Sequence, residues 1–498
     1  MTVASVHPVQ SGRKPTTHGV ASVLLALGVA ALFFVLALSR WNTGQVTNYD
    51  LGIFAQSASS YAHGQWPYSE IRQLPLLGDH FSPILAINGL AWRIWPDPRV
   101  LLLTQSLAVA GAAWLVGDTA SGRLGSRLIG TGATLVFIGG VGVLAVVLFD
   151  FHETAYAAPL LAITCRGLLD RSWRTVVVTS ALLLLVKEDM GLTVMGVAAC
   201  WLVRSRFQDK LRSALLVVLA IVGIVLATVV VARVNPSGSS EYLTMFGIGD
   251  AKHHTPAATG SLLDARRLMP FIVYTLATLV VGWRSPLTLV ALPTLLWRAV
   301  SSNPLYWTPD YHYDLIPAVA GAFAAIDALQ RMRAQRAVRR VQPGSLPGPT
   351  QKPVDRGLAP GLVAVLIGAA IAHMAWGITH AVSRLPDGIA LDERHRITQL
   401  RELAERVPAD APVATLNDVG TYLVATHRHV HTLKYDHGEP VRYVMFSDTR
   451  SWETRYPRPL RDRLIAEARA AGRAVERRGP YTLVDQGSVR RVPGTRTP

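Results

Sequence analysis

Half of the 498 residues are hydrophobic and only 16% are charged, a balance that excludes an ordinary soluble enzyme of this length and suits a multispanning membrane protein with some water-exposed mass. The formal net charge of +16 does not imply nucleic acid, because Lys and Arg sit mostly in short stretches between apolar runs, as the positive-inside rule describes. Cys165 and Cys200 both fall within or at the ends of apolar segments, so neither a disulfide framework nor a Cys-rich zinc site is supported.

The first eighteen residues are polar, and an apolar run from Gly19 to Leu38 follows. It is long enough to span hydrocarbon, and no small-residue cleavage site convincingly ends it, so a retained helix with a cytoplasmic N-terminus is expected. From Ser39 to Val100 five prolines, Pro67, Pro75, Pro83, Pro96 and Pro98, break any long helix. This reads as an outer loop whose Trp-rich stretch from Phe81 to Trp95 lies at the membrane interface.

Further apolar runs cover 100–120, 128–149, 154–169, 175–186, 190–203, 213–233, 269–283, 285–300, 313–330 and 358–382. Counted as one crossing each, they predict about eleven spans. Threading from a cytoplasmic N-terminus puts Arg123 and Arg127, Arg166, Arg171 and Arg174, and Arg204, Arg206, Lys210 and Arg212 inside. Arg331, Arg333, Arg336, Arg339, Arg340, Lys352 and Arg356, in a Pro- and Gly-bearing linker, also fall inside. Lys187-Glu188-Asp189 interrupts residues 175–203, and two short segments hinged there keep the later basic loops inside, whereas a single span would export them. Such a turn must be shielded by protein or water.

After about Ser383 the hydropathy falls. Ile397, Leu400, Leu403 and Val407 recur at helical spacing, a second amphipathic helix is expected over Pro459 to Ala471, and 413–416, 430–433, 443–446 and 481–484 read as short strands. The expected architecture is therefore an α-helical polytopic membrane domain over residues 1–384 with outer loops, and a small soluble α/β domain over residues 385–498, outside the cytoplasm by span parity.

The same threading places most of the polar residues of interest on one side of the membrane. Asp50 and Asp79-His80-Phe81-Ser82-Pro83 share the first outer loop, Asp150-Phe151-His152-Glu153 forms the next outer turn, Lys187-Glu188-Asp189 the third, and Pro309-Asp310-Tyr311-His312-Tyr313-Asp314 starts the span after the fifth. Ionisable groups at membrane depth are costly unless paired or hydrated, and their clustering at outer ends points to a functional pocket. Each has a plainer reading: Asp50 as a helix cap, His80 bonded to a carbonyl, Asp150 and Glu153 as exposed carboxylates, Lys187 in an internal ion pair, and Tyr311, His312 and Tyr313 as an interfacial aromatic belt.

In this order, Asn48-Tyr-Asp-Leu-Gly-Ile-Phe-Ala-Gln56, Asp79-His-Phe-Ser-Pro83, Asp150-Phe-His-Glu153, Lys187-Glu-Asp189 and Tyr311-His-Tyr313 resemble the bacterial membrane-protein family described as domain of unknown function 2079, through essentially the whole chain. That family is similar to the GT-C glycosyltransferases, multispanning enzymes that take a sugar from a polyprenyl-phosphate donor and keep an essential acidic residue in the first outer loop. The resemblance implies a plasma-membrane glycosyltransferase with a lipid-linked donor, an unidentified acceptor, no nucleic acid and no obligate protein partner. Asp50 occupies the matching position as general base, although a single Asp stands where several GT-C branches carry an acidic pair.

Within that frame His80, His152, Lys187, Tyr311, His312 and Tyr313 are candidates to line the donor-phosphate pocket. Asp150, Glu153, Glu188 and Asp189 form its acidic side, where a divalent metal such as Mg or Mn could bridge to phosphate. Two alternatives stay open: a transporter or polysaccharide-export partner using the same charges as a path, and a GT-C-like scaffold without activity.

Overall fold

The computed structural model describes residues 18–236, 264–339, 359–433, 440–448 and 458–492. Arg340, Lys352 and Arg356 of the expected basic linker, and the polar N-terminal stretch before His18, lie outside the described residues. Among the described residues five helices are long and apolar enough to cross a membrane, or six if one bent pair is a single span. They are α1 (His18–Asn42), α4 (Arg99–Leu124), α10 (Lys210–Val234), α13 (Leu315–Arg339) and α14 (Pro360–Ser383).

Their burial separates centre from rim. α4 and α13 are the most enclosed of the five, whereas α1, α10 and α14 leave most of their apolar surface uncovered, with Leu24, Leu27, Val218, Val222, Ile367 and Ile371 exposed. Side chains of this kind on a long helix need a hydrocarbon solvent. The stretch expected at the membrane interface contains α3 (Ala86–Ile94), which leaves Ile87, Leu90 and Ile94 uncovered.

Among the described residues length and composition thus mark five or six candidate crossings and do not confirm the eleven expected from hydropathy, because several apolar runs do not form continuous long helices. The 128–149 run is split into α5 (Arg127–Ile138) and α6 (Val141–Val147), bent by 60°. Gly377 of α14 sits against this break so closely that a Cβ there would lie 2.0 Å from the Gly139 carbonyl. The 269–283 run holds a nine-residue helix, α11 (Met269–Ala277), followed by a 3-10 turn, and the 285–300 run becomes α12 (Thr288–Val300).

α7 (Thr154–Asp170) follows the 150–153 turn. The hinge expected at Lys187 is present: α8 (Trp173–Leu183) and α9 (Met190–Arg204) are separate helices with the charged turn between them.

The first loop holds a short antiparallel pair, β1 (Tyr68–Ser69) and β2 (Leu74–Pro75), and the tail forms a five-stranded sheet in the order β4-β3-β5-β7-β6, where β3 is Val413–Thr415, β4 Val430–Thr432, β5 Pro440–Ser447, β6 Val475–Arg478 and β7 Tyr481–Arg491. β3 runs parallel to β4 and β5, and the β5–β7 and β6–β7 pairs are antiparallel. Alternation along the strands divides the faces. Val444, Phe446 and Val484 pack with Leu460 and Leu464 of α16 (Arg458–Ala470).

Tyr443, Met445, Tyr481 and Leu483 turn the other way. They share one apolar cluster with Ile397 and Leu400 of α15 (His395–Ala404), with Trp41 of α1 and with Leu51 and Phe54 of the first loop. The tail is therefore built onto that loop through a common core.

Candidate functional site

α1 ends at Asn42, and after a short extended stretch the chain winds into one π-helical turn, Asn48–Gly52, which leads into α2 (Ile53–Ala62). Asp50 lies inside this turn. It is not a cap, since the structure gives α2 no side-chain cap bond. Single π-turns of this kind recur at functional sites, where the wider winding re-aims a side chain.

Asp150 approaches from the turn between α6 and α7. Its Oδ2 accepts from the Thr47 amide and from the Thr47 hydroxyl, each at 2.7 Å, and that hydroxyl lies 3.3 Å from Asp50 Oδ2. Arg40 Nη2 stands 3.9 Å from Asp150 Oδ1. The turn itself is fixed by Gln105, whose amide donates to the Val146 and Asp150 carbonyls and accepts from the His152 amide.

Burial and then the neighbouring Asp150 charge push the Asp50 carboxyl up to about 7. The two carboxyls titrate as a pair. Burial also raises Asp150, but Arg40 and both Thr47 bonds favour its ionised form, which leaves Asp50 as the member that carries the proton.

A second group adjoins the first. Glu153 lies 2.9 Å from Lys187 Nζ and 2.9 Å from His152 Nδ1, and all three side chains are buried. Against the cost of burial, His152 and Lys187 hold Glu153 well below the usual carboxylate range. Burial takes His152 down to about 4 despite the Glu153 charge, so its ring is neutral. It stacks on His312 with centroids 3.3 Å apart. Lys187 is held above its ordinary value by Glu153, Glu188 and Asp189, which together outweigh its burial.

The third group joins the first loop to the hinge. Glu188 accepts from the Phe81 amide at 3.0 Å and lies 3.1 Å from His80 Nδ1. Burial opposes charge on His80, but Asp79 and Glu188 overcome it and raise the ring to about 9. Asp79 is itself gripped by Arg72 through bonds of 2.6 and 2.8 Å.

Asp189 is raised to about 6 by burial and the Glu188 charge, with Lys187 opposing. A narrow cleft between these elements is lined by Lys187, Asp189, Trp297, Arg298, His312 and Tyr313 among others. Tyr313 packs edge-on against Tyr306 and beside His312, while Tyr311 packs on Phe149 at its margin.

The candidates picked from the sequence thus fall into three adjoining groups, with Asp189 and the three residues 311–313 around the cleft. Asp50 feels the charges of Asp150, Glu153 and Lys187. Sequence reasoning missed Arg40, Thr47, Gln105 and Arg298. Arg40 carried a signal, since a basic residue beyond the outer end of the first apolar run goes against the positive-inside distribution and calls for a partner. Arg298 carried a similar one: it interrupts an apolar run, and it is fully buried against Asp314 at 2.6 Å.

Among the described residues no three His, Cys, Asp or Glu side chains gather into a set that would hold the divalent metal considered for the acidic side without a phosphate to complete it. The oxygens of Asp150 face Thr47 and Arg40, and those of Glu153 face Lys187 and His152.

Comparison with known proteins gives the class of the fold first. Two crystal structures of ArnT from Cupriavidus metallidurans superpose along nearly the whole chain. The form bound to undecaprenyl phosphate matches with a TM-score of 0.56 and 14% identity, over 96% of this chain and 99% of that one. The apo form matches at 0.51 and 15%, over 94% and 98%. The fold is that of ArnT, in keeping with the expected likeness to GT-C membrane proteins.

The family is then plain: residues 42–346 match DUF2079, described as a predicted membrane protein, and the chain belongs to it. The protein is membrane-embedded. No curated protein matches it in sequence.

Proposed function

We propose that the chain is a membrane glycosyltransferase that moves a sugar from a polyprenyl-phosphate donor to an acceptor at the outer membrane face, with Asp50 as general base. The observation that carries this reading is the Asp50 carboxyl, half-buried beside Asp150 and raised to about 7 in the first loop of an ArnT-like fold. A base serves best when its pKa lies near the working pH. The undecaprenyl phosphate bound to the ArnT neighbour supports a lipid-linked donor here.

In the proposed reaction the acceptor O–H loses its proton to Asp50 as its oxygen bonds to the anomeric carbon. The bond from that carbon to the phosphate oxygen breaks, and polyprenyl phosphate leaves with the electron pair. Lys187, charged and buried at the cleft, is positioned to balance the departing phosphate, with the His80 imidazolium behind it. His152, whose ring is neutral, and His312 stacked on it offer ring nitrogens for hydrogen bonding. The reading places the tail domain, residues 385–498, outside the cytoplasm, and no step runs through a metal.

The test is release of undecaprenyl phosphate from an undecaprenyl-phosphate hexose by the purified protein in lipid nanodiscs, with donor binding measured in parallel. Binding and turnover that depends on Asp50 support the reading. A protein that binds no such donor removes it.

A further inference from the structure

Among the described residues, the one hydrogen bond to the Asp50 carboxylate is the long contact of 3.3 Å from Thr47. Its position is therefore set by the backbone of its own turn, and that backbone is held from two sides. Thr47 is fixed to Asp150. The next two residues are fixed to the tail.

The Asn48 amide donates to the Asn417 carbonyl at 2.7 Å, and the Tyr49 amide donates to Asn417 Oδ1 at 3.0 Å. The Asn48 side chain, fully buried, inserts between strand ends. Its Nδ2 donates to Thr415 Oγ1, the Leu416 carbonyl and Thr432 Oγ1 at 3.0–3.1 Å. Its Oδ1 accepts from the Thr421 amide at 2.7 Å and the Thr421 hydroxyl at 3.2 Å.

Both side-chain polar atoms of one buried asparagine, and its backbone amide, are thus matched by the tail, an arrangement that specifies a single geometry. There is no slack around it: a Cβ on Gly420 would stand 2.7 Å from Asn48 Nδ2. Just before this turn, the Tyr422 hydroxyl donates to the Trp41 carbonyl at 2.6 Å. The matched family segment ends at residue 346, so all of these partners come from beyond it.

We infer that the loop 415–422 of the tail is a positioning clamp, with Asn417 and Asn48 as its positioning residues, that sets the Asp50 carboxylate against Asp150 by gripping the turn that carries it. This rests on Asp50 being the base, and it gives the tail a part in the chemistry from a distance. Neither asparagine touches the reacting atoms. The charged and titratable groups that face Asp50 are Asp150, Arg40, Glu153 and Lys187, with Tyr311 and Tyr313 at the edge.

The test uses the full chain in nanodiscs with an undecaprenyl-phosphate hexose as probe. Asn417→Ala removes the acceptor of the Tyr49 amide while leaving the Asn417 backbone in place, and Asn417→Asp restores that acceptor. Asn417→Ala is expected to lower kcat about tenfold or more, since small displacements of a reacting group are costly, with KM within about twofold and Tm nearly unchanged. Asn417→Asp should recover most of the rate. Equal rates in both variants and wild type, or equal losses, overturn the clamp.

A second readout does not depend on turnover. Carbodiimide labelling of Asp50, read by mass spectrometry, should accelerate in Asn417→Ala and return toward the wild-type rate in Asn417→Asp, and unchanged labelling overturns the inference. Asp50→Asn separates the two levels: wild-type turnover in that variant defeats the general-base reading, whereas a dead Asp50→Asn beside an unaffected Asn417→Ala defeats only the clamp.

Discussion

The amide and the hydroxyl of Thr47 converge on one oxygen of Asp150, each at 2.7 Å, while the same hydroxyl lies 3.3 Å from Asp50. This asymmetry decides which carboxyl of the pair holds a proton. Asp150, with Arg40 behind it, is the better-compensated anion, and its charge adds to the desolvation that raises Asp50 to about 7. The rate should therefore rise with pH through a midpoint near 7, as the base ionises. Asp150→Asn removes the like charge but not the burial, so the midpoint should move acidward by about one unit without reaching the ordinary carboxylate value. A midpoint that stays fixed would assign that limb to another group; pH–rate profiles of kcat/KM make the measurement.

Asp50→Asn keeps shape and hydrogen-bonding capacity but cannot take a proton, so turnover should drop by roughly 10²-fold or more with donor binding largely kept. The same substitution has a stability signature. A carboxyl raised in the folded state binds more protons there than in the unfolded chain, so its favourable contribution is complete below about 4 and is lost as pH rises through about 7. Asp50→Asn should thus melt higher than wild type at pH 8 and show no such gain at pH 4. Thermal melts across pH in one detergent decide it.

Lys187 answers to Glu153 at 2.9 Å with both side chains almost completely enclosed. Removing one partner of a buried pair strands the other, and Lys187→Ala is expected to cost about 3–5 kcal/mol in stability as well as donor retention. Lys187→Met combined with Glu153→Gln removes both partners of this pair, leaving Asp189 as the group that loses a counter-charge, and should recover much of the stability, though not the donor binding. If both properties return in the double variant, Lys187 has no part in holding phosphate. Denaturant titration and donor binding, measured on the same preparations, separate the two.

The residue types that gather at the site were legible because charge at the ends of apolar runs is conspicuous, and Asp50, Lys187 and Glu153 stood out for that reason. The hinge at Lys187 was legible too, since a continuous span would have exported the basic loops after it. Helix continuity was not. Hydropathy counts apolar length, whereas the break between Ile138 and Val141 and the short helices Trp173–Leu183 and Thr288–Val300 come from packing around a buried polar centre. Thr47, Gln105 and Asn48 were invisible for another reason: each is a common polar residue whose importance depends on partners tens to hundreds of positions away.

The last expectation concerns His80 and Glu188, which join the first loop to the hinge at 3.1 Å. The ring is raised to about 9 because Asp79 and Glu188 outweigh the cost of its burial. A basic group raised by its partners stabilises the fold fully below its unfolded value near 6.5 and loses that contribution as pH climbs through its folded value. His80→Gln retains a hydrogen-bonding side chain without the charge. Relative to wild type it should be less stable at pH 6 by on the order of 2 kcal/mol, after discounting for the 24% of the His80 side chain that remains exposed. The difference should shrink steadily between pH 7 and pH 10. A stability gap that is constant over that range would mean that His80 contributes by packing alone, and paired denaturation curves at pH 6 and pH 10 distinguish the two cases.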